Sequence, residues 1–168
     1  MKISKNVTAF FIISILGTVG HFLYEITNNK IIGYFLSVSE STCEHLKLLF
    51  FPALFYFIYI YFKDKNAPQN YIPSTVLSLL YGMLMTVTIF YTYKGIIGKN
   101  IDFINILIYY IAVLLFLAKR KKLLESNKFT SKTAVLISLF AVILAAFLFF
   151  IWSYNPPKLG IFQEPNLS

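Results

Sequence analysis

The chain has 168 residues, 58% of them hydrophobic and 13% charged, with a mean hydropathy of +0.70 and a net charge of +8. A soluble domain is about 45–50% apolar and about 25% charged, so this chain has too few polar residues to coat a water-exposed surface and reads as an integral, multi-pass protein of the cell membrane. Its positive charge falls in loops and is not interleaved with exposed aromatics on a polar scaffold, which excludes nucleic acid; a single cysteine excludes an intramolecular disulfide, and no CxxC redox or zinc motif is present.

In chain order, apolar runs at 7–24, 46–62, 73–93, 103–118 and 133–152 are each long enough for a helix crossing the bilayer, which takes about 20 residues. A lipid-exposed span must satisfy its backbone hydrogen bonds internally, so helices are expected; the absence of period-2 alternation argues against a β-barrel. Between the first two runs, the segment 31–38 is apolar but too short to span, and is expected to lie at the interface or to re-enter the membrane. The expected fold is therefore all-α: one transmembrane domain over 1–168, an integral membrane bundle of five transmembrane helices, with a Pro-rich tail at 153–168 able to fold back over the helix ends. No internal repeat of the kind common in transporters is visible. Asp102 marks a helix start. Tyr81, Thr86, Thr88, Tyr91, Tyr93, Tyr109 and Tyr110 are expected to hydrogen-bond between helices.

Charge sets the orientation. Lys2 and Lys5 before the first span, Lys63 and Lys65 after the second, and Lys119, Arg120, Lys121, Lys122, Lys128 and Lys132 after the fourth would share one side; Lys30, Lys94, Lys99 and Lys158 would share the other. The positive-inside rule puts the N-terminus inside and the C-terminus outside. Lys2, Lys5 and the stretch ending Gly17-Thr18-Val19-Gly20 also resemble a signal peptide, but the missing A-x-A site and the length of the apolar run favour a retained helix.

Two polar stretches break the apolar pattern. His21 and Glu25, four residues apart, share a face near the outer end of the first span. Glu40-Ser41-Thr42-Cys43-Glu44-His45-Leu46-Lys47 opens the second. Ser41 and Glu44 match the S/T-x-x-E capping box, a purely structural account, which leaves Glu40, His45 and Lys47 unexplained. A lysine one turn inside an apolar helix requires an acid, and Glu44 at i−3 is available. Antiparallel neighbours bring both stretches to one end, where two imidazoles and up to three carboxylates can hold Zn²⁺ or another borderline divalent ion. The site read from these residues has Glu44, His45 and Glu40 as catalytic groups, His21, Glu25 and His45 as metal ligands, and Lys47 and Ser41 as substrate-binding groups. Neither an HExxH motif nor the Glu-x-x-His pair of di-iron bundles is present. Cys43 reads as a packing residue.

The stretch Glu40-Ser41-Thr42-Cys43-Glu44-His45-Leu46-Lys47-Leu48-Leu49-Phe50-Phe51-Pro52 resembles a family of small, uncharacterised bacterial membrane proteins with the pattern N-E-S-x-W-E-H-x-K-L-x-F-x-P. Ser39 stands where that family has Asn, and Cys43 where it has Trp. His21, Tyr24-Glu25 and the tail around Pro156-Pro157 and Phe162-Gln163-Glu164-Pro165 also match its layout, so the resemblance covers most of the chain. It implies a five-helix membrane protein from low-GC Gram-positive bacteria and no particular activity. Three functions suit the residues: a metal-dependent hydrolase of lipid or a lipid-linked substrate, a transporter or proton-relay component, and a structural subunit of a membrane complex. Membrane lipid is the expected partner, and no oligomeric state follows.

Overall fold

A computed structural model describes residues 3–165, with side chains from Asn6 onward; Lys2, the side chain of Lys5 and tail residues 166–168 lie outside the described residues. Its helices are α1 (Ile3–Thr27), α2 (Lys30–Phe35), α3 (Thr42–Lys63), α4 (Tyr71–Ile97), α5 (Asp102–Glu125) and α6 (Lys132–Tyr154), followed by a 3-10 turn (Gly160–Phe162). No strand occurs among the described residues. All but α2 are long and apolar enough to cross a membrane, which makes this a multi-pass membrane bundle. The shortest membrane-length stretches have 22 residues, or about 33 Å of helix against a hydrocarbon core of about 30 Å. Alternating helix directions put residues 28–41, the α4–α5 turn and the tail at one end, and residues 64–70 and 126–131 at the other.

Local chemistry explains the helix ends. Ser41 and Ser131 cap α3 and α6, each accepting from the backbone N–H three residues on, and Gly98 closes α4 in the left-handed region at φ 79°. Asp102 is the first residue of α5, as its charge suggests. Asn70 precedes α4 without capping it; its side-chain amide donates to the Leu123 and Leu124 carbonyls at 3.0 and 3.4 Å, closing the last turn of α5 instead. Pro73 falls in the first turn of α4, where a missing N–H is harmless.

α3 lies deepest in the bundle and α6 is the most exposed of the long helices. Phe50, Phe51, Phe57, Phe116 and Phe149 fill the centre with edge-on and tilted ring contacts. Hydroxyls lock the helices together, in part as expected. Tyr109 of α5 reaches the Ile13 carbonyl of α1 at 2.9 Å and the Leu48 carbonyl of α3 at 3.3 Å, and Tyr110 meets Thr18 at 3.1 Å. Gly17 makes room for this: a Cβ there would run into the Tyr109 phenol and stand 2.7 Å from the Leu48 oxygen. Tyr93 bonds Asn100 and Asn105. Thr86 and Thr88 depart from the expectation, because each donates to a carbonyl one turn back on α4 itself.

Among the described residues, two cations are buried inside the bundle. Lys47 is fully buried at one end and Arg120 at the other. α5 runs past residue 118 through the basic stretch to Glu125, and Arg120 continues the inward stripe of Ala112, Val113, Phe116 and Leu117. Its guanidinium lies 3.9 Å from the Phe57 ring centroid and 4.6 Å from that of Tyr71, and its Nε donates to Thr75 Oγ1 at 2.9 Å. Planar Arg suits this slot between two rings in a way that the compact Lys ammonium does not. Arg120→Ala should therefore destabilise the bundle by roughly 2–4 kcal/mol, with Arg120→Lys recovering only part of the loss. Thermal unfolding in detergent checks this; an Arg120→Ala protein as stable as the parent would contradict the stacking account.

Candidate functional site: two faces of the α3 N-terminus

A chain of serines shapes the approach to α3. The Ser37 hydroxyl donates to the Ser39 carbonyl at 2.7 Å, Ser39 Oγ donates to Ser41 Oγ at 3.2 Å, and Ser41 Oγ accepts the Glu44 N–H at 3.4 Å. The capping box is only half formed. The Glu44 carboxylate passes over the Ser41 N–H and takes the Val38 N–H at 2.8 Å through Oε2. Ser39 Oγ accepts the Ser41 N–H in its place. Glu40 is thereby held on a braced turn just outside the helix.

His45 occupies one face of the first turn. Its Nδ1 stands 3.0 Å from the Ser41 carbonyl oxygen, which can only accept, so Nδ1 carries a proton, and in the neutral ring Nε2 is the nitrogen with the lone pair. This is the arrangement that orients a metal-binding imidazole. His21 of α1 lies against it, ring centroids 5.1 Å apart. Glu40 bridges the two: Oε1 is 3.8 Å from His21 Nε2, and Oε2 is 3.6 Å from His45 Nε2. One donor atom from each of the three residues lies within 4.8 Å of the others. Those spacings exceed a hydrogen bond. Ligands at 2.0–2.2 Å around a tetrahedral zinc stand about 3.3–3.6 Å from each other; the Glu40 contacts at 3.8 and 3.6 Å are near that spacing, and a pair 4.8 Å apart would have to draw in by about 1.2–1.5 Å to close on an ion. His21 and His45 are partly exposed and the Glu40 side chain is half exposed, which keeps the group open on one side. His21 Nδ1 is buried and makes no hydrogen bond among the described residues, so His21 is less firmly oriented than His45.

The other face of the same turn has a different content. Lys47 Nζ meets Glu44 Oε2 at 2.6 Å, the Gly33 carbonyl at 2.8 Å and Ser153 Oγ at 2.8 Å. The ammonium has three protons, and these are three acceptors. Lys47 thus joins α2, α3 and α6, as well as finding the acid its burial demands. Gly33 admits this packing, because a Cβ there would strike the Tyr154 hydroxyl, Val38 and Tyr24. The Ser153 hydroxyl in turn donates to the Phe149 carbonyl at 2.8 Å, and the Tyr154 hydroxyl donates to the Lys30 carbonyl at 2.9 Å.

The structure thus divides the residues singled out by sequence. His21, Glu40 and His45 converge; Glu25 is exposed on α1 outside the group. Glu44 and Lys47 are held against each other on the opposite face, Ser41 is the buried helix cap, and Cys43 is a buried core residue. A cavity of about 290 Å³ adjoins this second face, walled by Ser39, Ser41, Glu44, Ser153, Tyr154 and, from the tail, Phe162. The tail is fastened where the Phe162 ring meets Trp152 edge-on at 5.0 Å. Sequence reasoning missed Gly33, Ser153 and Tyr154. A serine inside the most apolar helix and a glycine in the short segment 31–38 were their only signals.

If Lys47 and Glu44 are one unit, removing the cation alone strands a buried carboxylate. Lys47→Met should cost roughly 3–5 kcal/mol, and adding Glu44→Gln should restore on the order of 1–3 kcal/mol of it. A double-mutant cycle of unfolding in detergent measures this, and strict additivity would disprove the coupling.

No curated protein and no solved structure matches the chain. A family profile does so over nearly its full length, and the five membrane-length helices accord with the polytopic layout expected from sequence. By that match, over residues 2–166, the chain belongs to a family of unknown function, DUF6512.

Proposed function

We propose that the protein is a metal-dependent membrane hydrolase, with a zinc-like divalent ion held by His21, Glu40 and His45, acting on a lipid or lipid-linked substrate. The observation that carries this reading is the convergence of three donor atoms from α1, the 37–41 turn and α3 within 4.8 Å, at the rim of the bundle. Two imidazoles and one carboxylate are a ligand set of catalytic zinc sites, which keep a further position for water. Held by these three residues, an ion would supply a water of lowered pKa and a Lewis acid for an ester or amide carbonyl. His45, fixed by Ser41, is the best oriented ligand, and half-exposed Glu40 is the most open of the three. Glu44 acts as a positioning residue: its bonds to Val38 and Lys47 hold the turn that presents Glu40.

A relay moving protons through the membrane is less well supported. Beneath the group the interior is dominated by Phe50, Phe51, Phe57, Phe116 and Phe149, with only separated hydroxyls such as Ser14 and Tyr109 among them. Purified protein reconstituted with zinc should hold one ion per chain by elemental analysis, and His45→Gln and His21→Gln should each weaken binding by about tenfold or more. Metal-free protein after reconstitution, or full retention by His45→Gln, would remove the hydrolase reading.

The site is assigned to the outer face of the membrane. With Arg120 inside the core, the basic residues that remain at the opposite end still outnumber those at the site end by nine to four. Buried Cys43 is a poor reporter. In a Cys43→Ala background, a cysteine replacing exposed Lys99 should react with an impermeant thiol reagent on intact cells, and one replacing exposed Lys128 should react only after lysis. The reverse pattern would invert the orientation.

A further inference from the structure

A second hollow lies beside the tail-covered cavity. It is an open groove of about 480 Å³ between α2 and the last turns of α6, lined by Tyr34, Phe35, Phe147, Phe150, Ile151 and Tyr154. Its floor is built from interlocked rings: Phe35 meets Phe150 at 5.2 Å, and Tyr34 meets Phe150 and Tyr154 at 5.6 and 5.1 Å. Phe147 and Ile151 stand exposed along it. From Phe147 to Tyr154 the groove follows α6 for about 10 Å. Tyr154 is the wall between the two hollows, since it lines both. An apolar trough on a lipid-facing helix therefore borders a more enclosed chamber of mixed polar and apolar lining, a shape that matches an amphiphile with one chain and one compact head.

The chamber also selects the head. Its polar lining is Tyr24, Ser39, Ser41, Ser153, Tyr154 and the Glu44 carboxylate, with no lysine or arginine among them. Nearby Lys47 has three acceptors for its three protons, so nothing is left to hold an anion. Both bonds to Glu44 use Oε2, which leaves Oε1 as an acceptor. A phosphate would meet this carboxylate without a compensating cation, whereas a hydroxyl can donate to it and exchange bonds with the serines and tyrosines.

We propose that groove and chamber together bind a neutral single-chain lipid whose head carries free hydroxyls, the chain along Phe147, Phe150 and Ile151 and the head beside Glu44. The binding stands on residues separate from the ion-binding group and does not depend on the hydrolase reading. Ser39 and Ser41 line the chamber while Glu40 between them faces the two histidines, so a head in the chamber lies across one turn of chain from the ion-binding group.

The test uses the purified full-length chain in nanodiscs and a 1-O-alkylglycerol with a photoreactive diazirine in its chain; the ether linkage cannot be hydrolysed. Cross-links are expected in peptides covering residues 30–36 and 147–155, and excess unlabelled 1-O-hexadecylglycerol should suppress them. The same chain on glycerol 3-phosphate should label these peptides about tenfold less. Ile151→Trp and, separately, Phe147→Trp, both at exposed positions, should lower capture on the order of tenfold by blocking the trough. Unchanged size-exclusion profiles would confirm that these variants fold, and the wild-type competition decides the matter if they do not. Stripping metal with a chelator should leave labelling intact. A protein that takes up no zinc on reconstitution yet keeps this labelling would remove the hydrolase reading alone. Labelling spread evenly over Leu136, Phe140 and Ile143, or equal capture of the phosphate probe, would overturn the lipid site and leave the metal reading standing.

Discussion

A lysine ammonium with no exposure, inside an apolar bundle, can persist only if every proton has an acceptor, and the end of the molecule bearing the site is organised around that demand for Lys47. A carboxylate from the previous turn, a backbone carbonyl from α2 and a hydroxyl from α6 meet it. Such a pair does little for net stability against an apolar replacement; what it contributes is geometric uniqueness. The Gly33 carbonyl and Ser153 can reach Nζ only when α2 lies across the mouth of the bundle and α6 is at the correct height. The same Glu44 oxygen also takes the Val38 N–H, so the turn leading into α3 is fixed by the contact that neutralises the lysine.

Adjacent residues at a helix start point about 100° apart, and that angle separates two tasks. Glu44 looks inward to Lys47; His45 looks across to His21 and Glu40. Sequence proximity suggested one cluster of five ionisable groups. The structure leaves Glu25 outside, turns Glu44 to Lys47 as a structural pair, and keeps His21, Glu40 and His45 as a ligand-like triad on the opposite face of the turn. A half-exposed carboxylate flanked by two imidazoles can change partners, whereas a buried carboxylate already bonded to a lysine cannot. The triad is thus the open side of the turn and the closed pair its foundation.

The two ends of the bundle neutralise a buried cation by different means. At one end a compact ammonium is matched by three discrete acceptors. At the other the Arg120 guanidinium, flat and weakly hydrated, lies on the Phe57 and Tyr71 rings and adds a bond to Thr75. Between them the interior is packed aromatic surface, and the helices are fastened by hydroxyls such as Tyr109, which reaches two backbones at once because Gly17 leaves space.

Hydropathy alone determined the five membrane-length helices, since a run of some twenty apolar residues has few alternatives to a helix in lipid. The Ser41 cap and the Lys47–Glu44 pair were also legible, because each depends on local spacing along one helix. So was the meeting of His21 with the α3 stretch, which follows from antiparallel neighbours. Arg120 was misread with its basic neighbours, although its three- and four-residue spacing from Phe116 and Leu117 carried the inward signal. What only the tertiary structure decided is which face each side chain took: that Glu40 rather than Glu25 joins the histidines, that Glu44 turns away from them, and that Gly33, Ser153 and Tyr154 converge from segments far apart in sequence. Those choices depend on how helices rotate and stack against one another, and a linear pattern records the period of a helix without the angle at which it faces its neighbours.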